Sequence, residues 1–162
     1  TEHDANRVLR IDPYSGAYTV LTNRIPNPNG IIFDPTYSKL YIGSFATGWL
    51  YVLPVSPDGH PGKVAKWASP VGEGGLLDGI GVDICGNVYV CEYGNTDIWR
   101  IPPSGGPAVL IVDGDPNVTY LPNLQWGSGG GWDPLSIYVP DGWNIGVWRV
   151  QVGVPTAPRA FP

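Results

Sequence analysis

Apolar and polar positions alternate in short bursts along this chain, and the bursts repeat. Leu77-Asp78-Gly79-Ile80-Gly81-Val82-Asp83, followed by Val88-Tyr89-Val90, reads as strand, tight turn, strand. The same figure occurs at Asn29-Gly30-Ile31-Ile32-Phe33-Asp34 with Leu40-Tyr41-Ile42, and at Asn123-Leu124-Gln125-Trp126-Gly127 with Ile137-Tyr138-Val139. The middle tyrosines, Tyr41, Tyr89 and Tyr138, stand 48 and 49 residues apart. The polar residues opening each figure, Asn29, Asp78 and Asn123, are spaced by 49 and 45. A third strand follows each time, at Trp49–Val52, Ile98–Ile101 and Val147–Val150, with a further copy at Arg7–Asp12. Fourth strands are predicted at 17–21, 63–67 and 108–112.

Turn chemistry keeps the same period. Pro13-Tyr14-Ser15-Gly16, Pro57-Asp58-Gly59 and Pro103-Ser104-Gly105-Gly106 separate third from fourth strands, with Pro fixing φ and Gly supplying positive φ. A unit of four antiparallel strands over nearly 50 residues has the length and strand count of a β-propeller blade. A Greek-key sandwich is the competing all-β fold, but it would not repeat at a fixed period. No window shows a 3.6-residue period, so almost no helix is expected. The prediction is all-β, one partial propeller domain over 1–162, with blade parts at 7–22, 29–67, 78–112 and 123–152. These hold two, four, four and three strands, about three blades in all. Propellers commonly close with four to eight blades. The chain is therefore expected to be the C-terminal part of a longer protein. Completion of the ring by self-association is the other route.

Composition sharpens this reading. Gly 23 and Pro 18 in 162 residues would also suit disorder, but seven Trp and nine Tyr in regular apolar runs argue for short strands and tight turns. The net charge of −5, with nine Lys+Arg scattered singly, speaks against a nucleic-acid partner. No stretch is long and apolar enough to span a bilayer, so no membrane partner is expected. The absence of Met reads as a processed product or an excised fragment, and a secreted or periplasmic location is expected over a cytoplasmic one. Cys85 and Cys91 would lie ~10 Å apart along the strand, beyond the ~7 Å that a disulfide allows. They are predicted to be two free, mostly buried thiols. Asn117-Val118-Thr119 is a glycosylation sequon, of consequence only in a eukaryotic secreted protein.

In a blade the first strand is innermost, so Asn29, Asp78 and Asn123 would meet around the axis at one mouth of the channel. One carboxylate and two amide carbonyls are hard oxygen donors of the kind Ca²⁺ takes. The absence of His and Cys among them argues against zinc. The competing reading is that Asn and Asp before Gly are only turn formers.

Taken together, the Asn29-Gly30 and Asp78-Gly79 hairpins and the run Gly127–Val139 resemble the senescence-marker-protein/gluconolactonase/luciferin-regenerating (LRE-like) family, from about Arg7 to Pro155. That resemblance implies a six-bladed propeller with one divalent cation, commonly Ca²⁺, at the channel mouth. It implies that Asn29 is a ligand and that Asp78 is a ligand and candidate general base. Asn123 matches a position that is not normally a ligand. Another Asn and a Glu of the family's site come from earlier blades and have no match here. The implied chemistry is hydrolysis of a lactone or similar ester, the cation polarising the carbonyl and Asp78 activating water. The rival expectation is a non-catalytic propeller module that binds a ligand or protein partner. His60 is expected to be an exposed turn residue and His3 a mobile terminal one. Glu92, Tyr93 and Asp97 are placed at the rim as solvated surface. Trp49, Trp99 and Trp148 are read as packing between blades.

Overall fold

The computed structural model describes residues 6–72, 74–114 and 120–158. Glu2, His3 and the sequon at 117–119 lie outside the described residues. Within them are thirteen strands and no helix. Strands β1 (Val8–Ile11) and β2 (Tyr18–Thr22) form a two-stranded sheet. Strands β3 (Pro28–Phe33), β4 (Lys39–Ser44), β5 (Leu50–Pro54) and β6 (Ala65–Ala68) form a meander of four. A second meander contains β7 (Leu77–Val82), β8 (Val88–Glu92), β9 (Asp97–Ile101) and β10 (Val109–Val112). The last sheet has three strands, β11 (Gln125–Trp126), β12 (Ser136–Asp141) and β13 (Gly146–Gln151). Every pairing is antiparallel between chain neighbours, so the all-β, blade-like architecture read from the sequence stands.

The core lies between sheets rather than within one. Tyr41 and Leu50 of one blade are buried against Leu77, Ile80, Val88 and Val90 of the next. Tyr89, Cys91 and Ile98 repeat that packing against Leu124, Trp126, Ile137 and Val139. Tyr41 and Tyr89 are each 1% exposed, because each has a following blade. Tyr138, in the last sheet, is only partly buried, and Trp132 packs edge-on against it at 4.7 Å. Full burial of one large apolar side chain stabilises by roughly 1.5–3 kcal/mol, so the period of the tyrosines is the period of the core.

Glycines on the inner strands bring successive blades together at one edge. A Cβ on Gly81 would stand 2.6 Å from both the Leu124 side chain and the Trp126 ring. Face-packed sheets otherwise sit about 10 Å apart. Close approach at the inner strands with side-chain packing further out gives a wedge, and stacked wedges fan around an axis.

Carboxylates repeated at one end of the inner strands shape the turns between first and second strands. Asp34 accepts the N–H groups of Ser38 at 2.8 Å and Lys39 at 2.9 Å. Asp83 accepts Asn87 N–H at 2.9 Å and Tyr89 O–H at 3.3 Å. Asp133 accepts Leu135 N–H at 3.0 Å and Ser136 O–H at 2.6 Å. The C-terminal segment crosses this same end. Val154 O accepts Trp126 Nε1–H at 2.8 Å, Pro155 O accepts Ile84 N–H at 3.0 Å, and Pro158 O accepts Tyr37 O–H at 2.9 Å. Residues 154–158 thus form a strap across three blades at this end.

Candidate functional site

At the opposite end of the inner strands, Asn29 and Asp78 occupy equivalent irregularities. Pairing of β3 with β4 slips between Pro28 and Ile31, and pairing of β7 with β8 slips between Leu77 and Ile80. Each slip holds an Asn-Gly or Asp-Gly pair, and a bulge of this kind re-aims the side chain next to it. A Cβ on Gly30 would lie 2.1 Å from the backbone oxygen of Asp78. A Cβ on Gly79 would lie 2.3 Å from Asn123 Cα and 2.8 Å from Asn123 Oδ1. The three openers are therefore consecutive neighbours, each fitted against the glycine of the one before.

Their environments differ. Asn29 and Asp78 are half-buried, whereas Asn123 is exposed. Asn123 precedes β11 instead of opening it, and its Oδ1 accepts the Leu124 N–H at 2.9 Å. The shorter spacing to this third opener accompanies an inner strand of only two residues. Cys91 forms the floor beneath two openers. Its Sγ–H points to Asn123 O at 3.6 Å, and burial together with the Asp78 carboxylate pushes its thiol well above the ordinary range. Cys91 is inert packing there. Cys85 is also a free thiol, but it is exposed, contrary to the expected burial, because it sits at the tip of the β7–β8 turn.

Several rim residues correct the sequence reading. Glu92 is 2% exposed, not solvated. Its carboxylate accepts Leu76 N–H at 3.0 Å and also the Asn95 N–H, so it ties the approach to Asp78 to the β8–β9 turn. Asp97, paired with Glu92 across the strands, is raised above the usual carboxylate range by partial burial, with the charges of Glu92 and Asp113 adding to it. Trp49 and Trp99 pack against inter-blade cores, while Trp148 is 41% exposed and donates Nε1–H to Asp141 at 3.2 Å. His60 is exposed as expected. In the Ser56–His60 turn the Ser56 hydroxyl donates to the Asp58 carboxylate and to the His60 backbone oxygen at 3.1 Å, not to the His60 imidazole, so the turn pairs no serine with a histidine base.

The donor set fits a hard cation better than a soft one. No group of three or more His, Cys, Asp or Glu with metal-binding geometry occurs among the described residues. A cation here would be held by one carboxylate and amide or backbone oxygens, the donors that Ca²⁺ accepts. Asn27, which the sequence reading missed, adds an observation. Two residues before Asn29 it adopts φ of 44°, and its Oδ1 is buried without a hydrogen-bond donor. A buried amide oxygen in that state lacks its usual compensation. An Asn directly before a Pro, at the entry to an opener, was the available signal.

Residues 1–119 match the model of the SMP-30/Gluconolactonase/LRE-like region. Among solved structures, the chain is similar to a calcium-binding protein, regucalcin, from Agrobacterium tumefaciens, with TM-score 0.73 and 18% identity over 98% of this chain and 55% of that one. It is similar to a gluconolactonase from Xanthomonas campestris, with TM-score 0.68 and 18% identity over 93% of this chain and 44% of that one. A chain of a nidogen/laminin complex is also similar, with TM-score 0.68 and 18% identity over 91% and 52%. No curated protein matches. The chain spans about half the length of the solved structures it resembles.

Proposed function

The chain belongs to the SMP-30/gluconolactonase/LRE-like family, and from that premise we propose that it carries part of the active site of a cation-dependent hydrolase of lactones or similar esters. One observation supports this most: Asp78 stands between Asn29 and Asn123 at the entries to adjoining inner strands, brought there by Gly30 and Gly79. Asn29 and Asp78 would hold the cation, with Asn123 and the oxygen of Asn27 as further donors. A bound divalent cation supplies Lewis-acid polarisation of the ester carbonyl. Asp78 takes the proton of the attacking water, as a half-buried carboxylate beside the reacting centre is placed to do. Glu92 does not share this role, because both of its oxygens are engaged by backbone N–H groups. It holds the segment leading into Asp78.

The test is hydrolysis of simple lactones by the complete protein, with and without Ca²⁺, for the wild type and Asp78→Asn. General-base catalysis contributes on the order of 10²–10⁴, so kcat should fall by at least about a hundredfold. Unchanged turnover in Asp78→Asn would refute the assignment. A second reading is a non-catalytic binding module, supported by the similarity to a chain of a nidogen/laminin complex. Binding to a partner that persists in chelator, with no lactone hydrolysed, would favour it.

A further inference from the structure

Around the same mouth runs a row of aromatic rings. Phe45 and Tyr93 have centroids 5.7 Å apart, Tyr93 and Tyr120 stack at 4.6 Å with planes 26° apart, and Tyr120 meets Trp143 at 5.9 Å. The row crosses three blades, and each blade holds it by a comparable backbone bond. Phe45 N–H donates to Asn27 O at 2.9 Å, Tyr93 N–H to Leu76 O at 2.8 Å, and Gly142 N–H to Tyr120 O at 3.0 Å. The first two acceptors lie two residues before Asn29 and Asp78, and the third lies three before Asn123. The row is thus tied through the backbone to the segments that lead into the openers.

We propose that this row is the platform for a flat apolar ring of the substrate, so that the site takes lactones or esters bearing an aryl or similarly flat ring in preference to hydroxyl-rich ones. The inference rests on the hydrolase reading for the reacting bond, but not for the platform itself. Three observations carry it. Trp143 is 69% and Tyr120 37% exposed, although both are large and largely apolar. Tyr120 is held at φ of 59°, a conformation that a bulky residue keeps only where its surroundings enforce it. Finally, the segments bearing the row, 45–49, 93–96, 120–123 and 142–145, contain no Lys or Arg, so they offer no cation to a charged group of a ligand. A flat apolar ring would meet offset aromatic faces, the arrangement such rings prefer.

The experiment is equilibrium binding of three hydrolysis-resistant lactams to the chain, by ligand-observed saturation-transfer NMR in Ca²⁺ and again in chelator. The probes are dihydroquinolinone, the lactam of dihydrocoumarin; δ-valerolactam, the same ring without the aryl; and the hydroxyl-rich gluconolactam. Dihydroquinolinone should bind about tenfold tighter than either of the others, the size one aromatic stack supports. Tyr93→Leu and Tyr120→Leu keep bulk without an aromatic face and should erase the preference, with circular dichroism confirming the fold. Equal binding of the three probes, or a preference that survives both substitutions together, overturns the proposal. Self-association that Trp143→Ala abolishes would assign the row to a second copy and also overturn it. Because binding is read in chelator as well, failure of dihydrocoumarin hydrolysis would remove the hydrolase reading alone. Loss of the preference with hydrolysis intact would remove the platform alone.

Discussion

Substitution of Gly79 by Ala tests whether the openers are packed against each other. The added Cβ would stand 2.3 Å from Asn123 Cα, 2.9 Å from its carbonyl carbon and 2.8 Å from Oδ1. Carbon atoms in contact sit about 3.5–4.0 Å apart, so the two strands must separate by more than about 1 Å. Asn123 has little room to retreat. Leu121 and Leu124, on either side of it, are 2% and 4% exposed in the same inter-blade core as Cys91. Gly79 does not have a positive φ, so the effect is one of space and not of backbone strain. Overpacking of this kind destabilises by about 1–3 kcal/mol. At roughly 2–4 °C per kcal/mol for a chain of this size, Tm should fall by about 2–12 °C. Gly130→Ala is the control, since nothing lies within 4 Å of its Cβ and its φ is not positive. Its Tm should correspond to a change within about 0.5 kcal/mol. Thermal melts of the two variants decide the matter. A Gly79→Ala protein that melts with Gly130→Ala would mean the openers are not in contact, and the shared site would have to be abandoned.

Further outcomes follow from the same geometry. Glu92→Ala leaves two backbone N–H groups without their charged acceptor and should destabilise by roughly 2–4 kcal/mol in urea melts, with Glu92→Gln milder because one carbonyl remains to accept. Burial works to raise the Asp34 carboxyl, but hydrogen bonds from Thr36, Lys39 and Ser38 outweigh it and hold it below 3.8. A depressed carboxyl contributes stability above its unfolded value and loses it as pH falls through the folded one. Urea midpoints should therefore drop below about pH 4, and Asp34→Asn should flatten that limb. With Cys85 exposed and the Cys91 thiol buried and raised, a thiol reagent at neutral pH should titrate one group in the native chain and two in denaturant. Two reactive thiols in the native state would contradict the close floor beneath Asp78.

Much of the fold was legible in the sequence because a blade is a local object. Tyr41, Tyr89 and Tyr138 recur at the period of the meander, and Pro-Gly turns mark its third connection, so strand order and sheet membership follow from neighbours along the chain. The close approach of the Asn29 and Asp78 segments was legible for a related reason, since each of these residues precedes the glycine that lets its strand meet the next. Tertiary structure decided what depends on contacts between blades. The charge of Glu92 suggested a solvated rim, yet backbone donors from Leu76 and Asn95 satisfy it in the interior. Composition favours burial of a cysteine, but Cys85 is exposed at a turn tip that no other blade covers. Asn27 gained an unpaired buried oxygen, and Phe45, Tyr93, Tyr120 and Trp143, up to about a hundred residues apart, became one row. Periodicity along a chain records the bonds of a strand to its neighbours within a blade. Which side chains face one another across blades depends on how the wedges close at their glycine edges, and that is a property of the assembled sheets alone.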